Sequence, residues 1–439
     1  MPADSDGKPP AGRLKRFAKL ASLSARLSTD VMTRGVKRLA GSDDESILGE
    51  TAAEKLVATL GDLKGLAMKM GQAMAMDPDA LTPEVRKIIA KLQNQAPPMP
   101  YSTVRDVIER ELGGSPEKLF ASFEQSPVAA ASLGQVHKAV THQGRKVAVK
   151  VQYPDIGKAV SADLDNLGSV VKVVTRGTGM TEGRAYFDEL RSELLNELDY
   201  RLEAQWAAKF AKACAVMPTL YVPQVEQALS SERVLTMEFI EGETLKEFLG
   251  RLEGIGNDER FSVSRLLMQA IWAPFLSHGL VHADPHPGNF ILLEGGRLGI
   301  VDFGAIKSLS APFVRVNRLM FAAQAGGAPV DMVEMSHQSG FTFEVEPEKA
   351  RSFIEGVVEI GSRPSCTRDY DFATSTMNRE LRAHFLKNAT RLHKMRPPQE
   401  AVMFFRALGG LMQNLENLKA RGDFRNIYEA LARLIPPVP

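Results

Sequence analysis

The chain has 439 residues, 44% hydrophobic and 24% charged, the balance of a globular protein with room for two or three domains or lobes. Its 54 Lys and Arg against 53 Asp and Glu leave a formal net charge of +1, so no global field marks a nucleic-acid partner. Two cysteines, Cys214 and Cys366, exclude a disulfide scaffold and suit a reducing compartment, and no run of about 18 apolar residues reads as a membrane span.

Residues 1–12 read as a polar, disordered segment, with Asp4 and Asp6 in place of the apolar stretch of a targeting peptide. From Arg13 a helical pattern begins, with Phe17, Leu20, Leu23, Leu27 and Val31 on one side and Lys15, Lys19 and Arg26 on the other. Residues 11–40 hold eight Lys and Arg against one Asp, a local net of +7. Such a helix either lies on anionic lipid or packs on the body with its basic face in water. Ser42-Asp43-Asp44-Glu45 starts a second helix that Pro78 ends, and a third runs from Pro83 to Gln93. Pro97-Pro98-Met99-Pro100 reads as a rigid spacer.

Past Leu119 the pattern turns to strands. Gln135–Ala139 and Lys146–Gln152 alternate across a turn at His142–Gly144. Helical stretches are expected over Ile156–Thr175 and Arg184–Lys212, with a Gly-rich segment between them that lacks Gly-Lys-Ser/Thr and is a loop. Arg233–Ile240 reads as a strand, Val263–His278 as a buried helix, and Phe290–Leu293 with Leu298–Val301 as a hairpin across Gly295-Gly296. Everything past Pro312 reads as helix.

The chemistry lies in four places. In Val147-Ala148-Val149-Lys150-Val151 the valines share one face, while Lys150 stands beside the small Ala148, leaving room for a planar ligand with its phosphate end at the ammonium. In His282-Ala283-Asp284-Pro285-His286-Pro287-Gly288-Asn289 the Asp and Asn are five apart, the spacing with which a kinase catalytic loop handles a hydroxyl proton through Asp284 and a magnesium ion through Asn289. Asp302-Phe303-Gly304, after the hairpin, supplies a second magnesium ligand, Asp302. The glycine-loop pattern falls on Ala129-Ala130-Ala131-Ser132-Leu133-Gly134-Gln135-Val136, where alanine replaces the first two glycines and a Cβ limits the approach to phosphate. His278, His282 and His286 recur every four residues, but Pro285 and Pro287 forbid the single helix that would stack them around zinc.

These motifs, with Lys69-Met70-Gly71-Gln72 and Glu197-Leu198-Asp199, resemble the UbiB-type atypical kinases, the AarF domain-containing proteins of ubiquinone biosynthesis. The resemblance covers about Leu60 to Leu309. It implies an α+β, two-lobed protein kinase-like fold with an N-terminal helical extension over the active site, and ATP and Mg2+ as cofactors. It also implies ATPase activity in support of ubiquinone biosynthesis near a membrane. Expected partners are the nucleotide, a membrane lipid or isoprenoid quinone precursor, and proteins of quinone biosynthesis. The expected location is cytoplasmic or peripheral on an inner membrane face. The alternatives are a small-molecule or lipid kinase and, further off, a protein kinase or a lipid-binding pseudokinase.

On this basis Lys69, Gln72, Lys150, Glu197, Asp199, Glu203 and Asp284 are the expected catalytic set. Ala129, Ala130, Ala131, Ser132, Gly134, Val136, Ala148, Lys150, Glu238 and Ile240 are expected to bind the cofactor, and Asn289 and Asp302 the metal. On one continuous helix Glu197 and Glu203 sit about 120° apart and cannot share a lysine. Glu203 then pairs with Lys150, and Glu197 and Asp199 face either Lys69, a metal or water. The expected divisions are a basic segment over 1–40, the extension over 41–115, an N-lobe over 116–241 and a helical C-lobe over 242–439.

Overall fold

The computed structural model describes residues 98–131, 133–158, 160–161, 164, 191, 195–326, 330–388 and 394–436. The chain divides into two compact units, Met1–Arg201 with Gln227–Thr236, and Leu202–Glu226 with Met237–Pro439.

In the first unit α1 (Tyr101–Leu112) and α2 (Pro116–Leu119) precede β1 (Ser122–Phe123), β2 (Ala129–Ala131), β3 (Gly134–Val140) and β4 (Lys146–Gln152). The sheet order is β1-β3-β4-β6, with β2 added on β3 and β6 spanning Val234–Glu238. The alternation of β4 does what the sequence implies. Val147, Val149 and Val151 are each 0% exposed and pack with Val104, Val107 and Ile108 of α1, which recur at helical spacing. Each fully buried valine is worth roughly 1.5–3 kcal/mol over an exposed one, so this seam fixes α1 on the sheet.

The proline-rich stretch before α1 is more than a spacer. Met99 is buried, and its N–H donates to Gln135 Oε1 at 2.7 Å while its carbonyl accepts from Gln135 Nε2 at 3.4 Å. The same amide nitrogen lies 2.8 Å from His137 Nε2, and His137 Nδ1 is 2.8 Å from the Glu124 carbonyl. With the amide as donor, His137 accepts at Nε2 and donates from Nδ1–H, which defines a neutral ring. Gly134, at the start of β3, has a steric origin: a Cβ there would stand 2.1 Å from the Val151 carbonyl oxygen.

The long helix expected over Arg184–Lys212 is broken. Residues 197 and 198 form a turn, Asp199 is outside any helix, and α3 begins afresh at Tyr200 and runs to Cys214. Asp199 sets the new start, because its Oδ1 accepts the Arg201 N–H at 3.0 Å, as a capping side chain does. The angular relation drawn between Glu197 and Glu203 on one helix therefore does not hold.

The second unit takes most of α3 and then β5 (Leu220–Tyr221), β7 (Glu243–Thr244), α4 (Leu245–Gly250), α5 (Asn257–His278), β8 (Leu280–His282), β9 (Phe290–Leu293), β10 (Arg297–Ile300) and β11 (Ile306–Ser308). The expected hairpin is present as β9–β10, closed by Gly295 at φ 74° and Gly296 at φ 70°, a left-handed pair that only glycine adopts cheaply. β5 joins β10 in parallel, and β7 joins β9. Along α5, residues from Val263 to Leu276 are buried almost without interruption, so it is a central helix and not an amphipathic one.

Beyond lie α6 (Ala311–Gln324), α7 (Met332–Gln338), β12 (Thr342–Phe343), α8 (Pro347–Gly361), α9 (Arg363–Cys366), β13 (Tyr370–Asp371), α10 (Met377–Lys387), β14 (Met395–Arg396), α11 (Gln399–Leu418), β15 (Arg421–Gly422) and α12 (Phe424–Ala432). The all-helical expectation past Pro312 is corrected by four two-residue strands, paired β12–β14 and β13–β15. α11 and α12 pack on α5 around Trp272, Phe275, Phe404 and Tyr428. Among the described residues no helix is long and apolar enough to cross a membrane.

Burial holds His137 below its ordinary 6.5. As pH falls through about 6.5 the unfolded chain takes up a proton that the folded ring refuses, so stability present above that pH is lost below it. The melting temperature is expected to fall between pH 7 and pH 5, with a shallower slope in His137→Gln; parallel slopes would contradict the assignment.

Candidate active site

In the first unit the open face of the sheet gathers the expected phosphate-side residues. Val136 is the cross-strand partner of Lys150, and Lys138 that of Ala148, so these four side chains share one face, opposite the buried valines. The alanine run is a strand and not a helix. Ala129, Ala130 and Ala131 pair antiparallel with Val136, Gln135 and Gly134, and Ser132 lies outside the described residues. Lys150 Nζ stands 4.8 Å from the centroid of the buried Tyr200 ring, a cation–π approach that places the ammonium at the start of α3. Glu203 follows Tyr200 by one helical turn.

Glu197 is buried in the turn before α3. Asp199 carries the α3 cap and a two-oxygen contact with Arg201, from Nε to Oδ1 at 3.0 Å and Nη2 to Oδ2 at 3.1 Å. Among the described residues these contacts start α3. Lys69 and Gln72 lie outside the described residues.

In the second unit the loop after β8 is organised by His282, which is 1% exposed. The Asp284 N–H donates to His282 Nδ1 at 3.3 Å, which leaves the ring proton on Nε2, donated to the Asp302 carbonyl at 2.7 Å. Burial lowers the pKa of His282, so the ring is neutral. Asn289 Nδ2 donates to the Asp284 carbonyl at 3.0 Å and to its Oδ2 at 3.3 Å. The amide nitrogen is thus spent on Asp284, and the amide oxygen is the atom presented as a ligand. Asp302 Oδ1 accepts the Gly304 N–H at 3.0 Å, which fixes the carboxylate.

An amide oxygen and a carboxylate are the hard donors that magnesium takes beside phosphate and water, so these two residues fit that ion. The three histidines spaced by four do not converge on a helix face: His278 ends α5, His282 lies in β8, and His286 Nδ1 accepts the Gly288 N–H in the loop.

α3 reaches the same place. Glu203 is buried, with Oε1 3.5 Å from the Phe303 N–H, and the ring of Phe210 lies 5.8 Å from His282 and 6.2 Å from Phe303. Phe303 is 0% exposed, so the Asp302-Phe303-Gly304 segment is locked against α3. The two expected residues at and just past the end of β6, Glu238 and Ile240, are also placed. Glu238 donates its N–H to the Gln224 carbonyl at 2.8 Å and accepts the Tyr221 hydroxyl at 2.5 Å, while Ile240 Cδ1 fills the space that a side chain on Gly299 would need. Burial and the Glu238 carboxylate raise the Tyr221 pKa to about 12.

After Gly304 the chain turns straight back. β11 pairs antiparallel with β8, from Ile306 opposite His282 to Ser308 opposite Leu280, and Ser310 then caps α6. No platform separates the metal segment from the next helix. Ala283 stands where the kinase catalytic loop His-Arg-Asp carries its Arg. Ala283 is 0% exposed and packs with Ala305 against Met403 of α11, more than a hundred residues on, and no local pattern announces such a contact.

Residues 91–333 match the family model described as an ABC1 atypical kinase-like domain. The chain is 29% identical to atypical kinase COQ8B, mitochondrial, of Rattus norvegicus over 96% of its own length and 81% of that protein's. It is 26% identical to atypical kinase COQ8, mitochondrial, of Saccharomyces cerevisiae, covering 92% of this chain and 81% of the yeast protein. Among solved structures, that of Rv3197 with erythromycin from Mycobacterium tuberculosis aligns with a TM-score of 0.60 at 30% identity, over 87% of this chain and 96% of that one. The family model spans more than half of the 439 residues and contains the loop, hairpin and metal segment just described, so the chain belongs to the ABC1 atypical kinase-like family.

Proposed function

We propose that the protein is an ATP-hydrolysing atypical kinase that binds Mg–ATP and serves ubiquinone biosynthesis at a membrane surface, with an isoprenoid quinone precursor or lipid as its partner. The observation that carries this reading is the Asn289–Asp284 bond beside His282. It aims one amide oxygen and two carboxylates, Asp284 and Asp302, as a phosphoryl-transfer loop does. Lys150, on the face with Val136 and Ala148, holds phosphate oxygens and is oriented by Tyr200, with Glu203 as its acidic counterpart. Asp284 orients the attacking water or hydroxyl and accepts its proton. Bound Mg2+ supplies charge neutralisation on the phosphate oxygens. Lys69 and Gln72, with Glu197 and Asp199, complete the catalytic set, and Glu238 and Ile240 border the base of the nucleotide.

The direct return from Gly304 to Ser310 favours hydrolysis or a small acceptor over a protein substrate, since a docked peptide needs an ordered segment there. Family membership and the COQ8-named relatives support the link to quinone chemistry.

Slow release of phosphate from ATP is expected, rising with liposomes or a phenolic isoprenoid and falling on the order of 100-fold or more in Asp284→Asn, the scale of a lost general base. Vigorous phosphorylation of a peptide library by the wild type, abolished by the same substitution, would favour a protein kinase instead. A second outcome concerns the alanine strand. Ala131→Gly removes a Cβ from β2 and is expected to shift the ratio of ATP to ADP affinity, measured by calorimetry; an unchanged ratio would detach 129–131 from the phosphates.

A further inference from the structure

α11 lies beyond the residues that the family model matches, yet it touches the catalytic segment three times. Near its start, Glu400 accepts from Ser310, through Oε2 from the backbone N–H at 2.7 Å and through Oε1 from Oγ at 2.6 Å. One turn on, Met403 packs on Ala283 and Ala305, the residues that flank Asp284 and follow Gly304. Near its end, Asn414, 3% exposed, donates from Nδ2 to the Pro285 carbonyl at 2.8 Å. Glu400 and Asn414 are about 20 Å apart along the helix axis, so one rigid rod spans the site from beneath.

We propose that Asn414 is a positioning residue for Asp284. The peptide groups around Asp284 are held one by one: its N–H by His282, its carbonyl by Asn289, and the next carbonyl by Asn414. Pro285 has no N–H, so of its own backbone groups only that carbonyl can take a hydrogen bond from outside the loop. A buried carbonyl that loses its donor destabilises the loop as it stands, and the loop relieves this by rotating the Asp284–Pro285 segment toward water. That rotation moves the carboxylate that must meet the attacking oxygen, while Asp302, held by His282 and the Gly304 N–H, keeps its place. Asn414 acts on kcat and not on nucleotide binding. The inference rests on the reading of Asp284 as the catalytic carboxylate.

The test is steady-state ATP hydrolysis by the full chain carrying Asn414→Leu, alone and with Asp284→Asn, alongside melting temperature. Expected are a kcat lower by tenfold or more, as a misplacement near 1 Å gives, and a KM for Mg–ATP within about twofold of wild type. In the Asp284→Asn background the same change should cost nothing further, because both substitutions remove one function. If Asn414→Leu does not fold, Asn414→Ser, whose hydroxyl does not reach as far as the amide, is read the same way. Wild-type kcat in a folded variant overturns the proposal, as does an equal loss in both backgrounds. Full turnover in Asp284→Asn would overturn the underlying reading itself, whereas an inactive Asp284→Asn beside an active Asn414→Leu sinks the positioning role alone.

Discussion

A buried, neutral imidazole holds the chemistry together. His282 has one nitrogen on the Asp284 N–H and the other on the Asp302 carbonyl, so the loop after β8 and the Asp302-Phe303-Gly304 segment are fixed to the two ends of one planar ring. Neither bond survives a change of tautomer, and burial suppresses protonation of the ring. Asn289 then closes the loop on Asp284, and β11 closes the strand on β8. The carboxylates are presented by a frame whose polar atoms are already spent on one another, the preorganisation that electrostatic catalysis requires.

Around this frame the second unit substitutes packing for the segment that a protein kinase uses to dock its substrate. Small residues, Ala283 and Ala305, let Met403 of α11 close in beneath the loop. Glu400 holds Ser310, where the shortened segment enters α6. A bulkier side chain at 283 would have to displace a buried helix. The C-terminal helix α11 therefore packs directly on the loop and on the start of α6.

What was legible in the sequence had local causes. Alternation revealed the face shared by Ala148 and Lys150, paired glycines revealed the hairpin, and the spacing from Asp284 to Asn289 revealed the loop. The misreadings had non-local or side-chain causes. The break before Tyr200 depends on Asp199 turning its carboxylate onto the Arg201 N–H, which a helical wheel does not register. Met99 reads as part of a spacer until Gln135 is known to take its backbone. The strands β12 to β15 are two residues each and exist only because distant loops meet.

The central claim is that Asp302 and Asn289 hold magnesium with the nucleotide. Calorimetric titration of the wild type with ADP, with and without Mg2+, tests it directly when set beside Asp302→Asn and Asn289→Leu. The account requires affinity that rises with Mg2+ in the wild type, loses that dependence in Asp302→Asn while the melting temperature without nucleotide stays close to wild type, and weakens in Asn289→Leu. A magnesium dependence that survives Asp302→Asn intact would contradict it.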